Sequence, residues 1–453
     1  MKGKKTFILG LIGLFIISSL SISIAENINE NENISYFRVE NNNGRWYFID
    51  PYGEPFFSTG ICGVSSNYNY APDLGYSPYY KNIIELYGSE EVWANVTKQR
   101  MDEWCFNTVG YGDKYIIDTG HYYTKGLGMA GANWQTGEIP DYFSNEWIQR
   151  VEKIGKNVVS NLSDDHNLIG YFLDNELHWG TDWRSLLDLF DTYLQLSANS
   201  AGKIALVDFL RQKYNDNITQ FNKNWRTNLD NFDQILYVNI LGKWPYTVIA
   251  RNDHNDFNYF VADQYFKTCY YTIKKYDPNH LILGARFQSF LTPIEVVRAS
   301  SKYIDVISVN HYVTRPLVLP LALFMQDIFG FTRSIDSLDE FYKISQKPIL
   351  ISEFYFRAVD SGLPNTKPSR LIMPVVKNQR QRAIFAEVYT RLFINKPYSI
   401  GYHWFAYSDQ PSQGRFDGEN SNIGLVNIND EPYELLITRM KIVNTLAHNS
   451  VKN

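Results

Sequence analysis

Short apolar runs alternate with amphipathic stretches along most of the chain. Eight runs have strand character: FFSTGICGV, FNTVGYG, KGLGMAG, LIGYFLDNE, LILGARF, DVISVNHY, PILISEFYF and SIGYHWFAY. Between them, apolar residues recur at helical spacing. Phe257, Phe260 and Val261 stand at i, i+3 and i+4, Ile384, Phe385, Val388 and Leu392 share a face, and Leu436, Met440, Val443 and Ala447 form one stripe. Eight strands alternating with helices predict an α/β protein, a (β/α)8 TIM barrel. A doubly wound open sheet is the alternative, but no Gly-rich phosphate fingerprint follows the first run.

Ahead of the first run, YFRVENNNGRWYFIDPYGEPFFSTG holds two aromatic-rich strand candidates separated by Asp50-Pro51-Tyr52-Gly53. That is turn chemistry, and it predicts an N-terminal β-hairpin leading into the first core strand. Residues 181–280 separate the fourth and fifth runs and hold several helical patterns, so a helical insertion after strand four is expected. Long connections at the carboxyl ends of barrel strands usually build the binding site. No shift in composition marks a second domain, and residues 35–450 read as one (β/α)8 catalytic domain.

The N-terminus carries Lys2, Lys4 and Lys5 before an apolar stretch from Phe7 to Ile17, then Ser23 and Ala25 as a small-x-small site. Residues 1–25 read as a secretory signal cut after Ala25, and the polar ENINENENI of residues 26–34 as a flexible leader. The expectation is a secreted, extracellular protein without membrane contact after cleavage; an uncleaved anchor is the alternative. Loss of the three lysines takes the formal charge from −5 to −8 (−5 − 3).

That balance, with no long basic run, argues against a nucleic-acid partner. Cys62, Cys105 and Cys269 allow at most one bridge, and no CxxC or HExxH supports a metal site. Aromatic residues make up 16% of the 453, enough that some can line a sugar cleft besides filling the core.

The chemistry gathers at the ends of runs. GYFLDNELHWG passes abruptly from an apolar run to Asp174, Asn175 and Glu176, and PILISEFYF carries Glu353 at the end of the seventh run. Carboxyl ends of barrel strands face the active site. Strands four and seven can bring two carboxylates together, as glycoside hydrolysis needs: one protonates the leaving oxygen, the other attacks the anomeric carbon. Apolar neighbours and the partner's like charge would keep the acid protonated. Either Glu alone also reads as an ordinary strand-end carboxylate. Arg286, closing strand five, suits a hydroxyl or an anionic sugar, or a carboxylate partner. His178 and Trp179, just after Glu176, are candidate subsite residues. Asp409, Gln410, Arg415, Asp417, Glu419 and Asn420 crowd the loop after strand eight, as a self-paired network or a calcium site.

FLDNE ending strand four and ISEF ending strand seven resemble the clan A glycoside hydrolases. RWYFIDPYGEPFFSTG, WCFNTVGYG, GYFLDNELHWG and HWFAYSDQPSQGRFDGENSNIGLVNINDEPY are most similar to β-agarases and, more loosely, to clan A β-galactosidases. The resemblance implies a retaining (β/α)8 enzyme with Glu176 as acid/base and Glu353 as nucleophile. It implies that Asn175 binds the sugar 2-hydroxyl, that Tyr312 contacts the nucleophile, and that Trp404 is a sugar-stacking platform, with a core tryptophan as the alternative. His311 would orient substrate or serve the core. The expected protein is a secreted retaining β-glycosidase acting on a β-linked galactan or galactoside polysaccharide or oligosaccharide. It needs no cofactor and no metal. A clan A hydrolase of another β-glycan, such as a glucan or mannan, and a non-catalytic carbohydrate-binding barrel are the rivals.

Overall fold

Eight parallel strands run round a closed barrel: Ser58–Val64, Thr108–Gly112, Tyr122–Gly126, Leu168–Phe172, the split pair Leu281–Ile282 and Phe287–Gln288, Ile307–Asn310, Ile349–Phe354 and Ser399–Phe405. The computed structural model describes residues 34–452 apart from 244–245, 290, 314–335, 368–372 and 374. The hydrogen-bonded order begins and ends on the two halves of the fifth strand, so the ring closes there. Leu281–Ile282 pairs with the fourth strand and Phe287–Gln288 with the sixth. Between them the backbone kinks: Gly284 has φ +84° and Arg286 φ +48°. Leu173 N–H donates to the Gly284 carbonyl at 2.8 Å and Arg286 N–H to Ser308 Oγ at 2.9 Å, which carries the seam across the break.

Local sequence explains the strand boundaries. Gly170 interrupts the fourth apolar run because the fifth strand passes against it; a Cβ there would stand 2.4 Å from the Leu281 carbonyl oxygen. The third strand is Tyr122–Gly126, rich in β-favouring residues. The sequence expectation placed that run at KGLGMAG, which is its tail and the loop beyond it. The N-terminal sheet also exceeds the expected hairpin: Arg38–Asn42, Arg45–Ile49 and Pro55–Phe56 form three antiparallel strands. Asn43 and Gly44, both with positive φ, make the first turn, and Asp50–Gly53 make the second.

Helices flank the strands. Glu90–Glu103, Asn145–Ile154 and Gln379–Ile394 each start on a side-chain cap, from Ser89, Ser144 and Asn378. Leu436, Met440, Val443 and Ala447 of Glu434–Asn449 are buried, as their spacing predicts. After the fourth strand come helices Leu189–Leu194, Ala201–Lys213, Ile218–Trp225 and Val248–Tyr276. The buried Asp253 ties three of them together, accepting from the Tyr214 hydroxyl at 2.6 Å and Trp225 Nε1 at 2.7 Å and pairing with Lys213 at 2.7 Å.

Ser35 onward forms one compact unit. The expected signal, residues 1–25, and all but Ile34 of the expected leader lie outside the described residues. Among the described residues, no helix is long and apolar enough to cross a membrane.

Candidate active site

The carboxyl ends of the strands open into a cleft of about 1720 Å³. That exceeds the roughly 300–1,000 Å³ of a small-molecule pocket and suits an extended ligand. Glu176 and Glu353 both line it, 8% and 6% exposed.

The seventh strand delivers Glu353 to the cleft, and two donors hold it. Arg286 Nη2 donates to Oε1 at 2.6 Å, and the Tyr312 hydroxyl donates to Oε2 at 2.5 Å. Arg286 also reaches the Ser352 carbonyl at 3.2 Å, and its guanidinium lies 5.2 Å from the Phe172 ring centre. Burial, then the Glu353 charge, push the Tyr312 phenol well above its usual range, so it stays protonated and donates. Arg286 therefore braces Glu353, rather than standing free for an anionic sugar.

Glu176 sits in a different environment. Asn310 Nδ2 donates to Oε1 at 2.8 Å, while Trp134 Nε1 and Gln288 Nε2 each donate to Oε2 at 3.2 Å. All three donors are neutral. Burial, reinforced by the Glu353 charge, raises the Glu176 pKa, and the three hydrogen bonds only partly oppose this. Glu176 is thus biased toward the neutral acid that acid-assisted displacement requires, while Glu353 is pinned by a cation and a phenol. Both Glu176 (φ +49°) and Arg286 (φ +48°) lie in the left-handed region, and the Glu176 N–H donates to the Arg286 carbonyl at 3.3 Å.

Asn175 lines the cleft, its Oδ1 accepting from Asn310 at 3.0 Å. His178 also lines it, tied to Asp182 at 3.1 Å and to the Leu187 carbonyl at 2.9 Å. Three expected substrate contacts lie elsewhere. Trp404 is fully enclosed in the barrel wall, where Nε1 donates to the Ile423 carbonyl at 2.8 Å, its ring lies 5.2 Å from Phe354, and the Arg382 guanidinium stands 5.5 Å from it. The neighbouring Phe405 lines the cleft instead. His311 turns outward onto Tyr389, with Nδ1 2.6 Å from its hydroxyl, and burial lowers its pKa to about 4. Trp179 is buried among Tyr142, Tyr265 and Phe266.

Sequence reasoning did not single out Asn310, Gln288, Trp134, Trp183 or Tyr68, all of which line the cleft. Strand alternation carried a signal for Asn310: counting two back from Tyr312 on the sixth strand reaches Asn310 and skips His311. Arg415, from the loop after the eighth strand, also lines the cleft. It pairs with Asp417 at 2.8 Å and Glu419 at 2.9 Å and donates to the Tyr68 hydroxyl at 2.9 Å, so this loop is a self-paired network. Among the described residues, the group of three with metal-ligating atoms close together is Asp188, Asp191 and His254, in the insertion. There Asp188 caps its helix through Oδ1 and pairs with His254 through Oδ2 at 2.6 Å.

The sequence model of a family described as β-galactosidase matches residues 135–348. β-Agarase A of Vibrio sp. (strain JT0107) is 28% identical over 466 residues, covering 89% of this chain and 44% of that protein. β-Agarase B of the same organism is 26% identical, covering 90% of this chain and 48% of that protein. The chain thus spans about half the length of the curated relatives it matches. Among solved structures, an exo-β-agarase superposes with a TM-score of 0.77 at 24% identity over 92% of this chain and 66% of that one. An agarase superposes with a TM-score of 0.72 at 26% identity over 92% and 66%. In sequence the chain is similar to β-galactosidases over residues 135–348 and to β-agarases over most of its length, and it shares its fold with solved agarases.

Proposed function

We propose that this protein is a retaining β-glycosidase that cleaves the β-linked galactan of agar outside the cell by double displacement. The carrying observation is the unequal treatment of two facing carboxyls. Glu353 is held by Arg286 and Tyr312, while Glu176 is caged by neutral donors and its pKa is raised. The relatives named β-agarases support the substrate class, and the apolar stretch from Phe7 to Ile17 with the small-x-small site at Ser23 and Ala25 supports export.

In the first step a Glu353 oxygen forms a bond to the anomeric carbon. The bond from that carbon to the glycosidic oxygen breaks, its electron pair stays on the oxygen, and Glu176 delivers its proton there. Asn175, beside the acid, is placed to bind the sugar 2-hydroxyl. In the second step Glu176, now a carboxylate, takes a proton from water as the water oxygen attacks the anomeric carbon and frees Glu353. Two inversions give net retention, and no metal or organic cofactor is assigned a step.

The test removes each carboxyl. Glu353→Ala should abolish hydrolysis of every substrate, because it removes the group proposed to form the glycosyl-enzyme. Glu176→Ala should still form that intermediate from a substrate with a good leaving group. Its hydrolysis should be slow, and added azide should restore turnover as a β-glycosyl azide. At Glu353→Ala, azide entering the vacated space should instead give the α-glycosyl azide; exchanged azide products would reverse the roles, and full activity in both variants would sink the mechanism. Hydrolysis of a glucan or mannan in preference to agar would overturn the substrate assignment.

A further inference from the structure

Among the described residues, Trp183 is the one exposed tryptophan, 57% exposed on the wall of the cleft. An indole left open to water on a folded wall is apolar surface that a ligand face can cover. Its mounting is rigid. Arg184 lies over the ring, 4.8 Å from its centre, and Arg184 Nη2 meets Asp182 Oδ2 at 2.6 Å. Asp182 is tied in turn to His178, and Arg184 Nη1 donates to the Trp134 carbonyl at 3.0 Å. The side chains of His178, Asp182 and Arg184 are nearly enclosed. Burial alone would raise the Asp182 carboxyl, but hydrogen bonds from His178 and Arg184 outweigh it and hold the group well below the usual range.

Position says which part of a ligand this wall would meet. Trp134 donates to Glu176 and stands 6.5 Å from Trp183, centre to centre, at 64°. Glu353 is held from other elements, by Arg286 and Tyr312. The acid must touch the oxygen that joins the leaving sugar, so the tryptophans on its flank border the leaving-group side.

We infer that Trp183 is the stacking platform of a leaving-side subsite, receiving the face of a sugar beyond the cleaved bond of an extended galactan chain. The inference rests on the glycosidase reading above. Its substrate preference follows directly: chains with several sugars on the leaving side gain a contact that a short glycoside lacks. A pre-ordered ring makes that contact without the cost of immobilising a mobile side chain.

The experiment compares wild type with Trp183→Ala and Trp183→Tyr on agaro-oligosaccharides of increasing length and on a β-glycosyl fluoride, whose leaving group cannot reach the ring. Trp183→Ala should lower kcat/KM roughly ten-fold on the longest chains. The loss should shrink as the leaving side shortens and be least on the fluoride, and Trp183→Tyr should recover most of it. A loss equal on all substrates would make Trp183 a merely structural residue and overturn the platform; no loss on any would do the same. If wild type hydrolyses no agar oligosaccharide, the substrate reading fails separately. The platform is then judged by fluorescence titration of Glu353→Gln with galactan, glucan and mannan oligosaccharides. Quenching that disappears in the Glu353→Gln, Trp183→Ala double variant upholds a sugar platform, and its absence throughout overturns it.

Discussion

Trp404→Ala discriminates a barrel wall from a sugar platform. The Trp404 ring is fully enclosed against Phe354 and Arg382, and its Nε1–H satisfies the buried Ile423 carbonyl. Truncating a buried tryptophan costs about 3–5 kcal/mol, and orphaning a buried carbonyl about 1–3 kcal/mol. The two effects overlap, so a loss of about 4–6 kcal/mol is expected, a large share of the roughly 5–15 kcal/mol that holds a typical protein folded. Urea unfolding followed by far-UV circular dichroism gives the stability difference. Kinetics normalised to the folded fraction give KM. The reasoning requires a large drop in the unfolding midpoint with KM nearly unchanged. A stability loss under about 1 kcal/mol with KM raised several-fold would refute it and return Trp404 to the substrate. Trp404→Phe, which keeps most of the volume, should retain much of the lost stability.

Asn310→Ala removes an N–H donor that favours the charged form of Glu176, so the Glu176 pKa should rise further. Glu176 acts protonated in the first step, and kcat/KM falls as pH rises through its pKa; the alkaline limb of the profile should therefore move to higher pH, and an unmoved or lowered limb would refute the assignment. Tyr312→Phe deletes one charge-assisted hydrogen bond to Glu353, worth about 1.5–3 kcal/mol, so kcat/KM should fall about 10- to 150-fold with little change in melting temperature. Wild-type activity in that variant would show the contact to be idle.

The barrel and its two carboxyls were legible because both are written in local pattern: eight apolar runs, and acidic residues where two of them stop. The side to which each strand-end residue points was missed, although the period of two contains it. On the eighth strand, His403 faces the barrel interior, bonded to Ser58 Oγ, and Phe405 reaches the cleft, which leaves Trp404 to the wall. On the sixth, Tyr312 and Asn310 share the cleft, while His311 faces Tyr389. The motif drew attention to the larger and more reactive side chains rather than to the phase of the strand. Trp134 and Trp183 were illegible for another reason. They stand on long loops, and neither periodicity nor turn chemistry says which loop tryptophan will meet a carboxyl 42 positions away.

The left-handed backbone at Glu176 and Arg286 has a bearing on how such a protein changes over generations. A side chain larger than glycine in that conformation costs about 1–2 kcal/mol, and asparagine and glycine tolerate it best. At position 176 those are residues that cannot donate or accept the catalytic proton as a carboxyl does. Descent under pressure for hardiness alone would drift toward a sturdier, silent barrel, and the acid would be among the first side chains surrendered. Its presence here, buried on left-handed backbone and held by three neutral donors, fits the proton-donor role proposed for it, a role that neither glycine nor asparagine could fill.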